Sequence, residues 1–120
     1  MKHSLILSSF IAEIKKADIE ILKYKVQFKL ANTIPDCLLV LSYKSKNYIY
    51  LIECENTKAF NLKKYEDLYY SRAYKDVLPK FPSIVVISNR AVKKSDKFDV
   101  IDVKLDFSNI DNFFKNLALF

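Results

Sequence analysis

At 120 residues the chain can build one hydrophobic core and one domain spanning 1–120. Its 51% hydrophobic and 28% charged residues are those of a soluble globular protein, and a net charge of +6 favours an anionic partner such as nucleic acid. The complete absence of glycine excludes glycine-rich phosphate loops, nucleophile elbows and dinucleotide-binding turns, and one histidine with two cysteines lacks the spacing of a zinc site.

Ser4 is placed to cap a first helix that runs to Ala17. Leu7, Phe10, Ile11, Ile14 and Ala17 recur at the 3, 4, 7 spacing of one apolar face. Glu13 lies near the flank of that stripe, and Lys15 and Lys16 suit the last turn electrostatically. No run approaches about 18 apolar residues, so no membrane span is expected. The N-terminal apolar stretch has no small-residue cleavage site after it, so the expected location is the cytoplasm.

Ile19 to Leu30 alternates as a strand. Leu22, Tyr24, Val26, Phe28 and Leu30 share an inward face, and Lys23, Lys25, Gln27 and Lys29 share a basic outward one. Such a strand suits the margin of a sheet, where lysines discourage edge pairing, and its basic side suits a phosphate backbone.

Ile34 to Asn56 reads as a β-hairpin. Cys37–Tyr43 and Tyr48–Cys54 are its strands, and 44–47 its loop. Asp36 opens the first strand. Glu53 and Glu55 stand two apart at the end of the second, on the face that carries Ile49 and Leu51. Once the hairpin closes, these three carboxylates meet at one end. They repel one another unless a cation sits between them, and a hard divalent ion is the usual resolution. The plainer alternative is three solvated strand-end residues. Cys37 and Cys54 alternate to the opposite face and read as small apolar core residues.

Asn61 is a candidate N-cap for a helix running to Val77, with an apolar stripe of Leu62, Tyr65, Tyr69, Ala73 and Val77 widened by Leu68. On this stripe Lys63 projects to one flank and Lys64 lies nearly opposite. Tyr70 and Tyr74 lie off its centre and are candidates for partner contact. Pro79 and Pro82 end the helix and introduce a buried strand, Ser83–Ser88, reached by a helical crossover and so expected parallel to its neighbour. The loop 89–97 is the densest basic patch, with Arg90, Lys93, Lys94 and Lys97. Phe98–Leu105 is the last expected strand. Ile110–Phe120 is a closing apolar helix that either packs on the domain or makes a homodimer interface.

Pro35-Asp36, the hairpin, Glu53-Cys54-Glu55, and a following helix and strand together resemble the PD-(D/E)xK nuclease superfamily. Within it the chain is most similar to the replication-relaxation family of plasmids and mobile elements, through Asn56-Thr57, Lys63-Lys64-Tyr65 with Tyr69, and Phe81-Pro82 ahead of Ile84 to Ile87. In size, element order and Glu13 it also resembles archaeal-type Holliday junction resolvases. The resemblance implies an α/β (α+β) fold of the restriction endonuclease-like kind: an αβββαβ core with a mixed central sheet flanked by helices. It implies a Mg²⁺- or Mn²⁺-dependent DNA endonuclease or nickase that processes plasmid or mobile-element DNA.

By that resemblance, Asp36, Glu53 and the backbone carbonyl of Cys54 hold the metal. Glu55 orients or deprotonates the attacking water, or holds a second metal. A lysine from 58–64 stabilises the phosphate, with Lys63 the best placed and Lys64 and Lys58 behind it. Glu13 or Glu20 completes the acidic cluster. Lys23, Lys25, Arg72, Lys75, Arg90, Lys93 and Lys94 are the expected nucleic-acid contacts. One position departs from the pattern: Glu55 stands where the superfamily lysine is usual. A catalytically inactive nuclease-fold module that binds DNA or protein is therefore the second expectation.

Overall fold

Hydrophobic alternation in the hairpin sets the architecture. In the computed structural model, which describes residues 2–31, 33–54 and 60–118, the elements run α1 (Lys2–Lys16), β1 (Glu20–Val26), β2 (Cys37–Tyr43), β3 (Lys46–Cys54), α2 (Leu62–Ser71), a 3₁₀ turn (Ala73–Asp76), β4 (Ser83–Ile87), β5 (Val100–Val103) and α3 (Asp111–Ala118). The strands form one mixed sheet in the order β1-β2-β3-β4-β5. The first three are antiparallel, and β4 and β5 are parallel to β3 and to each other.

Lys44 and Ser45 close the hairpin with φ of 51° and 66°. A two-residue type I′ turn needs positive φ at both positions, and here it is made without glycine. The strands pair from Cys37 with Ile52 to Tyr43 with Lys46. Tyr50, Ile52 and Cys54 then join Cys37, Leu39 and Leu41 in a core capped by Leu7, Phe10 and Ile14 of α1 and Phe113 and Leu117 of α3. Leu51 and Leu38 face the other way, into a second core with Tyr65 and Leu68 of α2, Ile84, Val86 and Val100. The sheet is thus covered on both faces, which is why its central strands are almost wholly apolar. Cys37 and Cys54 are both buried and unbridged.

Several expectations change. Helix α1 begins at Lys2, so Ser4 lies inside it rather than at its cap. Strand β1 stops at Val26 because Gln27 takes a φ of 55°, and a register shift between Ile21 and Lys23 makes Leu22 an extra residue. Such a bulge resets the alternation. The shift leaves Ile21, Tyr24 and Val26 on one face, opposite Leu41, Leu39 and Cys37. Ile21 packs against the core, while Leu22, Tyr24 and Val26, expected inside, are 47%, 39% and 50% exposed at the sheet margin. Phe28 and Leu30 are buried beyond the strand. As expected, β1 is a sheet margin.

The second helix is not continuous to Val77. Arg72 takes a left-handed φ of 59°, ends α2, and starts the 3₁₀ turn. This rotates Tyr74 into the core and leaves Val77 exposed, the reverse of what an uninterrupted helix gives. Helix α3 spends Phe113 and Leu117 on the core, so it packs on the domain, and the described residues give a dimer through it no support. No helix among the described residues is long and apolar enough to cross a membrane.

Candidate functional site

Extending the β2–β3 ladder one step past Cys37–Ile52 puts Asp36 opposite Glu53. At this frayed end the two carboxylates do the work of ladder carbonyls. Glu53 Oε1 accepts the Asp36 N–H at 3.2 Å, and Asp36 Oδ2 accepts the Cys54 N–H at 2.8 Å. The Asp36 carbonyl accepts the Gln27 N–H at 2.8 Å, which ties in the end of β1. Half-buried amides need such partners, and two carboxylates used this way sit closer together than water alone would favour.

The compensating charge comes from α2. The Asn61 side chain accepts the Lys64 N–H at 3.2 Å and fixes the start of the helix over the sheet. Lys64 then reaches Glu53 Oε2 with its Nζ at 3.1 Å. The pair is largely withdrawn from solvent, the lysine side chain being 32% exposed and the glutamate 16%. Burial pushes the Glu53 carboxyl above its ordinary range. The Lys64 ammonium pulls against that shift, and the neighbouring Asp36 carboxylate adds to it.

Tyr65, the next residue on α2, is fully buried, and its hydroxyl has no hydrogen-bond partner among the described residues. It faces the Glu53 carboxylate without completing a bond to it. Burial, then Glu53 and Asp36, hold the phenol well above the usual tyrosine range. A buried hydroxyl left without a partner costs about 1–3 kcal/mol. Beside this corner, a groove of about 470 Å³ runs along α2 and is lined by Thr33, Asn61, Lys63, Lys64, Asp67 and Ser71.

The expected site residues separate into those the fold brings together and those it does not. Asp36, Glu53, the last residue of β3 (Cys54) and Lys64 meet. Glu55 and Lys58 lie outside the described residues. Lys63 is corrected: its ammonium points away and pairs with Asp67 at 3.1 Å, at 81% side-chain exposure. The helix stripe is centred on Tyr65 and Leu68, and Lys64, four residues before Leu68, stands on its inner flank. Glu20 is also corrected. It pairs with Ser42, six residues along β2 from Asp36, so it stands roughly 20 Å from the corner. Glu13 is on α1, which covers the opposite face of the sheet, and is held by Lys16 at 3.1 Å.

The basic residues do not form one surface. By the register of β1, Lys23 and Lys25 project on the α2 side of the sheet, and the Lys25 ammonium lies 5.6 Å from the Phe28 ring centre. Arg90 follows β4 at the corner's end of the sheet, its N–H donating to Ser88 Oγ at 3.0 Å, and Lys93 is exposed. Lys94 is spent on Asp102 and the Val100 carbonyl, at 2.7 and 2.8 Å. Arg72 and Lys75 lie at the far end of α2.

Two neighbouring carboxylates and a strand-end carbonyl are oxygen donors of the kind that a hard cation such as Mg²⁺ or Mn²⁺ takes. Among the described residues no third carboxylate, cysteine or histidine joins them, and Lys64 occupies the cationic position. Lys64, placed behind Lys63 by the sequence, is the lysine that the fold brings to the carboxylates, and Tyr65, read only as core, lies beside them; the signal for both was Leu68, whose burial recentres the helix stripe. No protein-family model, no curated protein and no solved structure matches this chain.

Proposed function

We propose that the corner formed by Asp36, Glu53 and Lys64 hydrolyses a phosphodiester bond of DNA with a divalent cation as cofactor. The observation that carries this reading is the Lys64–Glu53 pair at 3.1 Å, set beside a second carboxylate and an unpartnered buried hydroxyl. Glu55 stands where the nuclease superfamily usually has lysine, and α2 supplies the missing positive charge from Lys64 instead. The Asp36 and Glu53 carboxylates and the Cys54 carbonyl are the groups that would hold Mg²⁺ or Mn²⁺, which when bound supplies Lewis-acid polarisation and a water of lowered pKa.

The chain's own residues do the rest. The Lys64 ammonium stabilises charge that develops on the phosphate oxygens, where a preorganised cation in a desolvated pocket counts most. Glu53, held as the ionised partner of Lys64, fixes where that ammonium stands. The Tyr65 hydroxyl is a fixed donor aimed at that carboxylate. A role in plasmid or mobile-element DNA processing rests on the resemblance alone.

A second reading has its own observation. Each carboxylate already accepts a backbone N–H, so the corner also works as a clasp that closes the hairpin, and a DNA- or protein-binding module without catalysis would keep it for that purpose. The experiment is incubation with supercoiled, linear and branched DNA in Mg²⁺, Mn²⁺ or EDTA. Metal-dependent nicking or cutting is expected of the wild type. Asp36→Asn, which keeps an acceptor for the Cys54 N–H, should lower it at least about 100-fold, as loss of a charge-stabilising group does. Equal cleavage by Asp36→Asn sinks the proposal.

A further inference from the structure

The far end of α2 holds a second arrangement with the opposite electrostatic character. Tyr69, Tyr70, Arg72, Tyr74, Lys75 and Lys97 line a depression of about 390 Å³ with no carboxylate among its lining residues. Tyr70 is 63% exposed, unusually open for a tyrosine on a packed helix. Its ring is nonetheless held in place. Tyr69 abuts it edge-on at 5.3 Å between centroids, and is itself fixed against Phe81 at 5.3 Å and Phe98 at 5.9 Å. A buttressed aromatic ring that leaves much of its surface to solvent is a platform rather than a core residue.

The cations around it are just as deliberate in placement. Arg72 is put there by the left-handed turn that ends α2, a conformation costing roughly 1–2 kcal/mol in a residue with a Cβ. Arg72, Lys75 and Lys97 are all exposed, and none of their side chains forms an ion pair among the described residues. Three uncompensated cations around one open ring match the repeating unit of a nucleic-acid strand, a flat base beside an anionic phosphate.

We infer that this patch binds an unpaired stretch of nucleic acid, with a base stacked on Tyr70 and the flanking phosphates at Arg72, Lys75 and Lys97. A duplex keeps its base faces stacked inside and offers none to a surface ring. Arg72 is eight residues from Lys64, about 12 Å along the helix axis. The inference rests on the proposed function only in naming this strand as the substrate: the patch would hold a single-stranded segment a few nucleotides from the bond placed at the acidic corner.

The test is fluorescence anisotropy with a labelled oligothymidylate, its duplex, thymidine monophosphate and a tyrosine-phosphorylated acidic peptide, all in EDTA so that cleavage plays no part. The expected result is preference for the single strand, a roughly tenfold loss in Tyr70→Ala with binding kept in Tyr70→Trp, and an Arg72→Gln/Lys75→Gln/Lys97→Gln protein whose salt slope is shallower by about 2. Tyr70 is exposed, so its variants report on binding rather than on folding. Undiminished binding by Tyr70→Ala, equal affinity for the duplex or the mononucleotide, or preference for the phosphopeptide each overturns the inference. Loss of cleavage in Asp36→Asn with this binding intact would show the two sites failing separately.

Discussion

At the N-terminal end of α2, Lys64 and Tyr65 turn inward onto two half-buried carboxylates; at its C-terminal end, Tyr70 and Arg72 turn outward among cations that face solvent. Both ends join aromatic and charged groups, yet the physics differs. Inside, every charge must be matched because desolvation makes an unmatched one expensive. Outside, water screens the cations, so they can stay unpaired and available for a ligand at little cost to stability. The contrast separates residues whose substitution unmatches a half-buried charge from residues whose substitution removes a solvent-facing ligand contact.

The largest effect on stability is expected from Lys64→Met, which leaves the Glu53 carboxylate largely buried and uncompensated. With the pair partly open to water, a loss of about 1–2 kcal/mol is expected near neutral pH, measured by urea unfolding. Its pH dependence has a definite sign. The Glu53 carboxyl is raised in the folded protein, so its contribution is fully present below the ordinary value of 4.5 and is lost as pH rises through the raised value. Removing Lys64 raises the folded value further. The deficit of Lys64→Met should therefore be widest at neutral pH and close below 4.5. A deficit that does not change with pH would mean that the lysine stem, not its charge, matters.

Tyr65→Phe should go the other way. It removes a buried hydroxyl with no partner while keeping the ring that stacks on Phe60 at 5.7 Å. A gain of about 1 kcal/mol is expected, read as a higher midpoint at unchanged m-value, together with slower DNA cleavage. Destabilisation by Tyr65→Phe would show that the hydroxyl is bonded after all.

Arg72→Gly should have the smallest effect on stability and separates strain from charge at the outer end. Glycine adopts the φ of 59° without penalty, so the variant should gain roughly 0.5–1 kcal/mol in thermal unfolding while losing affinity for single strands. Unchanged affinity would remove Arg72 from the outer patch.

Much of this could be read from the sequence, and the reasons are specific. Alternation assigned Ile49 and Leu51 to one face of β3 and Tyr50, Ile52 and Cys54 to the other, because a central strand buried on both sides cannot slip register without misplacing both cores. It also brought Asp36 to Glu53, since a hairpin joins the start of one strand to the end of the next. What the pattern could not give was any departure from regular backbone. The extra residue at Leu22 broke the alternation of β1 and took Leu22 off the face shared by Ile21, Tyr24 and Val26. The left-handed turn at Arg72 stopped a helix that propensity would have continued and put Tyr74 rather than Val77 in the core. The buried stripe of the helix that remains is centred on Tyr65 and Leu68, which leaves Lys64 rather than Lys63 on its inner flank. With no glycine in the chain, the usual marker of positive φ is missing, and the turns at 44–45 and 72 fall on lysine, serine and arginine.

The claim that matters most is that the Asp36–Glu53 corner takes a divalent cation, and it can be tested without knowing the substrate. Thermal unfolding is followed for wild type and Asp36→Asn while Mn²⁺ or Mg²⁺ replaces EDTA. A specific site stabilises the folded wild type by about 2.7 kcal/mol at a 100-fold excess of cation over its Kd, and Asp36→Asn should lose that gain. No rise in wild type, or the same rise in both proteins, would contradict a cation site at this corner.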